Sequence, residues 1–309
     1  MTASFPLRLP LSRHGIDRDS LTREDAAALE ARRASDATLV VPLWNGTALT
    51  GGPDRLRFVP VSAIPQARLW VYLGRIADGD PTEHAGAPVF SAVIDDDVAA
   101  GLDGEWQNLR TLGHQLSDRD AGLFTQALAM ANWHSTHEFS PRTGAATHPE
   151  KAGWVRIDPS DGSELYPRTD PAVIVAVTDA DDRLLLGSNA MWESNRYSLL
   201  AGFVEPGESF ESAVEREVLE ESGLKVIDPV YLGSQPWPFP ASVMVAFTAR
   251  VDPEADNVAT PDGTEILELR WFSREELRAA LPEVRLPGRT SIARAAIEHW
   301  YGEPLPGDW

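Results

Sequence analysis

The 309-residue chain contains no cysteine. Disulfides, thiolate zinc sites and cysteine nucleophiles are therefore excluded, and a chain of this size without thiols fits a reducing cytoplasm. No apolar run approaches the length needed to cross a bilayer. The amino-terminal Met1-Thr2-Ala3-Ser4-Phe5-Pro6 lacks the basic start and apolar stretch of a signal peptide. A soluble cytoplasmic protein with no membrane partner is the expectation. Lysine is nearly absent: Lys151 and Lys225 are the only two. Against 27 basic residues stand 47 acidic ones, a formal net charge of −20. Such a balance repels nucleic acid and anionic membranes. It repels anionic small molecules too, unless bound cations reverse the field locally.

What is present is enough for two cores. The hydrophobic share is 43%, and the length favours two domains over one. Thr38–Trp44, Leu69–Gly74 and Pro88–Ile94 are apolar runs separated by turn residues and predict strands. Leu116, Phe124, Leu128 and Trp133 recur near helical spacing, so about Ser117–Thr136 predicts a helix with one buried face. Residues 139–167, poor in aliphatics and rich in Gly, Pro, Thr and Asp, read as an irregular connector. Beyond it Ala172–Val177, Arg183–Gly187, Leu199–Phe203, Val226–Leu232, Val243–Val251 and Ile266–Phe272 predict strands. Ser209–Glu221 predicts a helix stopped at Gly223. Ser273-Arg274-Glu275-Glu276 fits a capping box opening another helix, and a last helix covers about Ser291–Tyr301. Strands interleaved with helices imply an α/β or α+β sandwich with a mixed sheet between helices. The division expected is 1–125, a connector at 126–167, and 168–309.

The helix at Ser209–Glu221 carries the chemistry. Residues three and four apart share a helix face, so Glu217, Glu220 and Glu221 are neighbours. Three carboxylates on one patch repel one another unless a positive charge sits among them, and Mg²⁺ or Mn²⁺ suits such oxygen ligands. In isolation the triplet reads better as a solvated acidic face with Arg216 as partial counter-ion. Its context decides otherwise. Gly202 opens a loop, Glu208 follows six residues later, and Arg216-Glu217-Val218-Leu219-Glu220-Glu221-Ser222-Gly223-Leu224 completes a pattern with many fixed positions.

That pattern resembles the catalytic box of the Nudix hydrolases at every fixed position. The resemblance implies Glu217, Glu220 and Glu221 as metal ligands, Glu220 alternatively serving as a base through water. It makes Arg216 the orienting cation, Glu208 the brace and Gly202 the point of close backbone approach, and adds the Ala201 carbonyl as a further metal contact. Downstream, Gln235-Pro236-Trp237-Pro238-Phe239-Pro240 with Ala241 and Ser242 is on its own a stiff aromatic loop, suited either to core packing or to a nucleotide base. In sequence and spacing it is similar to the marker of one Nudix subfamily, the NADH pyrophosphatases of NudC type. Tyr166-Pro167-Arg168, Ala201-Gly202-Phe203 and Glu265 before Trp271 extend the likeness over about residues 124–309. The amino-terminal part is consistent with that subfamily's degenerate Nudix-like domain.

The subfamily resemblance implies an NAD⁺ diphosphatase, cleaving NAD(H) to NMN(H) and AMP, with the 5′ end of NAD-capped RNA as a related substrate. It implies a homodimer, Glu265 as another metal ligand, Tyr166 and Phe203 stacked on the nicotinamide, Gln235–Ser242 along the substrate, and Ala293 as a backbone contact. The chain departs from the subfamily in one place. Where a four-cysteine zinc ribbon is usual, Ser140, Thr143, Asp158 and Asp161 stand instead, and with His134, His137 and His148 nearby no zinc is expected. Two alternatives stay open: a broader Nudix hydrolase of ADP-ribose or other dinucleotides, and a non-catalytic NAD(H)-sensing protein.

Overall fold

The computed structural model describes residues 5, 9–256 and 258–307. The chain divides into two compact units, one of residues 13–169 and 237–241, the other of residues 1–12, 170–236 and 242–309. Among the described residues no helix is long and apolar enough to cross a membrane.

The first unit, in chain order, contains β1 (Ile16–Asp17), α1 (Ala26–Arg33), β2 (Leu39–Trp44), β3 (Thr47–Gly52), β4 (Arg55–Leu56), β5 (Leu69–Ile76), β6 (Pro88–Val93), α2 (Asp96–Ala100), β7 (Glu105–Asn108), α3 (Leu109–Leu112), α4 (Asp118–Thr136), β8 (His148–Glu150), β9 (Val155–Ile157) and β10 (Glu164–Leu165). Its main sheet runs β1-β5-β6-β2-β3-β4, with β7 on β3. β2 and β6 are parallel, while β5–β6 and β2–β3 are antiparallel. α4 begins where Ser117 caps the Asp120 N–H and packs against β5 and β2. Leu116, Phe124, Leu128 and Trp133 are all buried, as their spacing predicts. The sequence did not announce β3 or β7, whose Thr, Gly, Glu and Asn content hides the strand pattern.

The connector is more ordered than its composition suggests: β8, β9 and β10 form a small antiparallel sheet. Two tight turns, with Gly144 N–H on Ser140 O and Gly162 N–H on Asp158 O, carry the four positions named above. They are joined by side chains. The Thr143 hydroxyl donates to the fully buried Asp158 carboxylate, which also receives the Ser160 N–H at 2.9 Å and the Ser160 hydroxyl at 2.6 Å. These donors, the hydroxyls of Ser160 and Thr143 foremost, hold the Asp158 carboxyl well below the usual carboxylate range. Arg142 and Asp161 pair at 3.7 Å. The histidines serve other ends. His134 meets Gly153 O through Nε2 at 2.7 Å and Arg156 through Nδ1 at 2.9 Å, His137 Nδ1 reaches Trp133 O, and His148 faces Glu150.

The second unit contains β11 (Asp170–Thr178), β12 (Leu184–Asn189), β13 (Leu200–Phe203), α5 (Phe210–Ser222), β14 (Val226–Trp237), β15 (Ser242–Val251), β16 (Ile266–Phe272), α6 (Arg274–Ala280) and α7 (Ile292–Tyr301). The sheet order is β14-β15-β11-β12-β16, with β13 on β11. β11 explains the layering. Its residues alternate between faces, so Ile174 and Ala176 join Leu277, Ile292, Ala296 and Ile297 of α6 and α7, while Val173, Val175 and Val177 join Ala213, Val214 and Val218 of α5. A mixed sheet between helices results, as the strand and helix pattern implies. The Ser273 capping box forms with both hydrogen bonds present.

Candidate active site

α5 brings the box together. Ser209 caps its start by accepting the Ser212 N–H, and Gly223, at φ 70°, ends it with its N–H on Leu219 O at 2.8 Å. Glycine takes that left-handed conformation without a Cβ penalty. Val214 and Val218 face the sheet, and this fixes the helix rotation. Glu217 and Glu221, four residues apart, then lie on the flank beside β13.

Gly202 of β13 pairs with Val173 and approaches α5 so closely that a Cβ there would stand 2.0 Å from Glu217 Cδ. Only glycine leaves room for that carboxylate. Arg216 organises the rest. Its Nε and Nη2 grip Glu208 at 2.6 and 2.8 Å, and Nη2 also donates to Phe203 O at 2.9 Å. Its Nη1 holds Glu217 at 2.8 Å and Glu220 at 3.0 Å. Glu208 accepts the Glu205 N–H at 2.9 Å as well. The bidentate pair, the strong form of such contacts, takes the Glu208 carboxyl down to about 2 and so ties the loop after β13 to the helix.

The electrostatics leave one charge unanswered. Glu221 is buried, 5% exposed, and its Oε2 has no hydrogen-bond partner. Burial first, then the charges of Glu265 and Glu217, push its carboxyl up to about 8, against a backbone hydrogen bond from Ala201. Burial also raises Glu217. Glu220 is largely exposed. Among the described residues no group of three or more acidic or histidine side chains is gathered tightly enough to enclose an ion as it stands, Glu217 and Glu220 being drawn instead to Arg216. A divalent cation nonetheless fits these residues. Its charge answers an orphaned buried carboxylate oxygen and the mutual repulsion of Glu217, Glu221 and Glu265, and the donor set is all oxygen.

Other singled-out residues fall in different places. Glu265 stands immediately before β16 and acts electrostatically on Glu217 and Glu221. Phe203 is 58% exposed beside the box. Tyr166 is exposed too, belongs to the other unit and donates its hydroxyl to Glu164. Gln235 is fully buried: Oε1 accepts the Leu11 N–H at 3.2 Å and Nε2 donates to Thr290 O at 3.0 Å. Both ends of its amide are thus used inside the protein. The loop tip 237–241 groups with residues 13–169. There Asn132 donates to Pro238 O at 2.9 Å, and the Arg110 guanidinium sits 4.1 Å from the Phe239 ring centre. This tip edges a cleft of about 420 Å³ with Asn108, Arg110 and Asn132. Ala293 is buried in the core behind β11, its N–H taken by the Ser291 hydroxyl. Sequence reasoning missed Asp262, whose carboxylate receives the N–H groups of Glu265 and Ile266 at 3.1 and 2.7 Å. The Asp262-Gly263-Thr264 turn was its only signal.

A mixed sheet between helices, with an arginine-braced glutamate helix under a close-approach glycine, defines a Nudix domain. The NUDIX domain family matches residues 168–294, and the NADH pyrophosphatase-like rudimentary NUDIX domain matches residues 20–133. The chain is 43% identical to the NAD-capped RNA hydrolase NudC of Mycobacterium bovis (strain BCG / Pasteur 1173P2), covering 96% of this chain and 95% of that one. It is 39% identical to the NAD-capped RNA hydrolase NudC of Stutzerimonas stutzeri (strain A1501), covering 71% and 76% respectively. Among solved structures, a NUDIX hydrolase from Nitrosomonas europaea aligns with a TM-score of 0.43 at 21% identity, over 55% of this chain and 96% of that one. The chain belongs to the NADH pyrophosphatase, NudC-type, family of Nudix hydrolases.

Proposed function

We propose that this enzyme hydrolyses the diphosphate linkage of NAD(H) to NMN(H) and AMP with the help of Mg²⁺ or Mn²⁺, and that it removes NAD caps from RNA 5′ ends by breaking the same bond. The observation that carries the reading is the buried Glu221 carboxylate with an unpartnered oxygen, flanked by Glu217 on a helix that Arg216 and Glu208 brace. The relatives named as NAD-capped RNA hydrolases support the substrate.

Glu217, Glu221 and Glu265 would hold the cation, with Glu220 as a further ligand or as a base acting through water. When bound, the cation neutralises diphosphate charge and makes an attacking water more acidic. Arg216 keeps the helix carboxylates aimed, and Gly202 lets the chain of β13 pass against them. Phe203 and Tyr166 are proposed to stack on the nicotinamide. The 235–242 loop is proposed to shape the substrate pocket, Gln235 acting from within the core as its anchor and Trp237 and Phe239 as its aromatic edge. With a net charge of −20, selection of RNA rests on the cap and first nucleotides rather than on the RNA body. A cytoplasmic homodimer belongs to the same proposal, on the family resemblance.

Incubation with NADH and Mn²⁺ tests the reading: AMP and NMNH are the expected products. NADH that binds without turnover would favour a sensor. Comparison of kcat/KM on NADH, NAD⁺, ADP-ribose and NAD-capped RNA tests the substrate. Trp237→Ala is expected to lower NADH turnover more than ADP-ribose turnover, and equal losses would favour the broader hydrolase.

A further inference from the structure

Glu265 comes from outside the carboxylate helix, so its aim must be set locally. Three neighbours hold it. Asp262 takes its N–H at 3.1 Å, the Ala190 N–H donates to its carbonyl at 2.8 Å, and Asn189 Nδ2 donates to its Oε1 at 3.3 Å. The Asn189 amide is oriented by its other end, because Oδ1 accepts the Met191 N–H at 2.9 Å, which leaves the NH₂ for Glu265. The pairing of β12 with β16 shows how Asn189 arrives there. Ser188 faces Glu268 but Asn189 faces Ile266, so Leu267 is the extra residue of a β-bulge. Bulges re-aim side chains next to functional sites. Without this one, Asn189 would oppose Leu267, one residue further from Glu265.

We propose that Asn189 is a positioning residue, whose side-chain amide orients the Glu265 carboxylate toward the cation shared with Glu217 and Glu221. This rests on the reading of Glu265 as a metal ligand. Partners that orient a ligand without touching the metal change affinity by about 10–100-fold when removed.

The measurement is Mn²⁺ binding to the full-length, metal-free protein, followed by the electron paramagnetic resonance signal of free Mn²⁺, with no substrate present. Asn189→Ala is expected to weaken Mn²⁺ binding about tenfold. In a Glu265→Gln background the same change is expected to cost less than about twofold, since residues acting through one another are not additive. Asn189→Ser keeps a hydroxyl to accept the Met191 N–H but no donor long enough for Glu265, and it is expected to match Asn189→Ala. Recovery of wild-type affinity by Asn189→Ser would show that Asn189 only shapes the loop and would overturn the proposal. An undiminished cost in the Glu265→Gln background would overturn it too, as would unchanged affinity in Asn189→Ala while Glu265→Gln binds weakly. If Glu265→Gln itself binds Mn²⁺ like wild type, the ligand reading fails, and the proposal with it.

Discussion

The two units contain the same sheet plan, and the box braced by Arg216 lies on only one of them. In the second, β14, β15, β11 and β12 lie in that order around a parallel β11–β15 pair, with β16 on β12 and α7 packed on β11 and β15. In the first, β5, β6, β2 and β3 lie in that order around a parallel β2–β6 pair, with β7 on β3 and α4 packed on β5 and β2. One difference between them bears on the box. Between β12 and β14, residues 190–225 build β13, the braced loop and α5; between β3 and β5, residues 53–68 build only β4 and a short turn near Val61–Ala63. The shared plan is the scaffold, and the box lies on the loop and helix that only the second unit adds to it between β12 and β14. The match of residues 20–133 to a rudimentary domain has this physical content.

The largest effect is expected from the buried, unpartnered carboxyl that α5 carries in the second unit. Glu221→Gln is isosteric, so the fold survives. The loss of a proposed metal ligand is expected to cost several kcal/mol of transition-state stabilisation, roughly a thousandfold or more in kcat. In metal-free protein the same change removes a buried carboxyl, pushed up to about 8, that the folded chain keeps protonated near pH 7 while the unfolded chain ionises it, so Tm at that pH is expected to rise by a few degrees. Activity and stability should move in opposite directions. Retained turnover would remove Glu221 from the ligand set.

Two glycines sharpen the contrast, because each is crowded for a different reason. At Gly202 an added Cβ meets the end of the Glu217 side chain. That carboxylate can swing away, so Gly202→Ala is expected to leave Tm nearly unchanged while misplacing a proposed metal ligand, with a loss of about a hundredfold in kcat/KM. At Gly74, φ is 130° and a Cβ would stand 2.1 Å from the Asp17 carbonyl oxygen. Backbone cannot swing away, and Gly74→Ala is expected to cost about 3 kcal/mol of stability with kcat unchanged while the protein remains folded. Thermal melts and steady-state kinetics on both variants separate the two cases. A Gly74→Ala enzyme of normal stability and low kcat would invert the assignment.

The same contrast governs what was legible in the sequence. The box was readable because each fixed position answers a geometric demand: Gly202 for close approach, Arg216 for a bidentate brace, Gly223 for a left-handed stop. β11 was readable because its unbroken apolar run, Ala172–Val177, is buried on both faces. Gln235 was not, because a glutamine in an aromatic loop looks like a ligand-binding group until both ends of its amide are found inside the core. Asn189 was hidden because its role depends on a bulge, a register feature that only pairing with β16 reveals. The connector's strands were hidden by length, being two or three residues each, too short for a period to show.

The connector offers the mildest test, which concerns stability alone. His134 is buried, and burial first, then the charge of Arg156, push its imidazole down to about 4, partly opposed by the Gly153 carbonyl. The groups facing it are Arg156, Gly153 O, Trp133 and His137, and of these the Gly153 carbonyl favours a protonated ring while Arg156 and His137 oppose it. The unfolded chain takes up this proton near pH 6.5, whereas the folded chain refuses it until about pH 4. The contribution is therefore complete above pH 6.5 and is lost as pH falls toward 4, at about 1.4 kcal/mol per pH unit and about 3 kcal/mol in all. His134→Gln keeps an amide able to meet both Gly153 O and Arg156 but does not titrate. Its denaturant midpoint is expected to fall less steeply than wild type's between pH 6.5 and 4, with kcat/KM at pH 7.5 unaffected. Parallel pH slopes for the two proteins would place the acid sensitivity elsewhere in the chain.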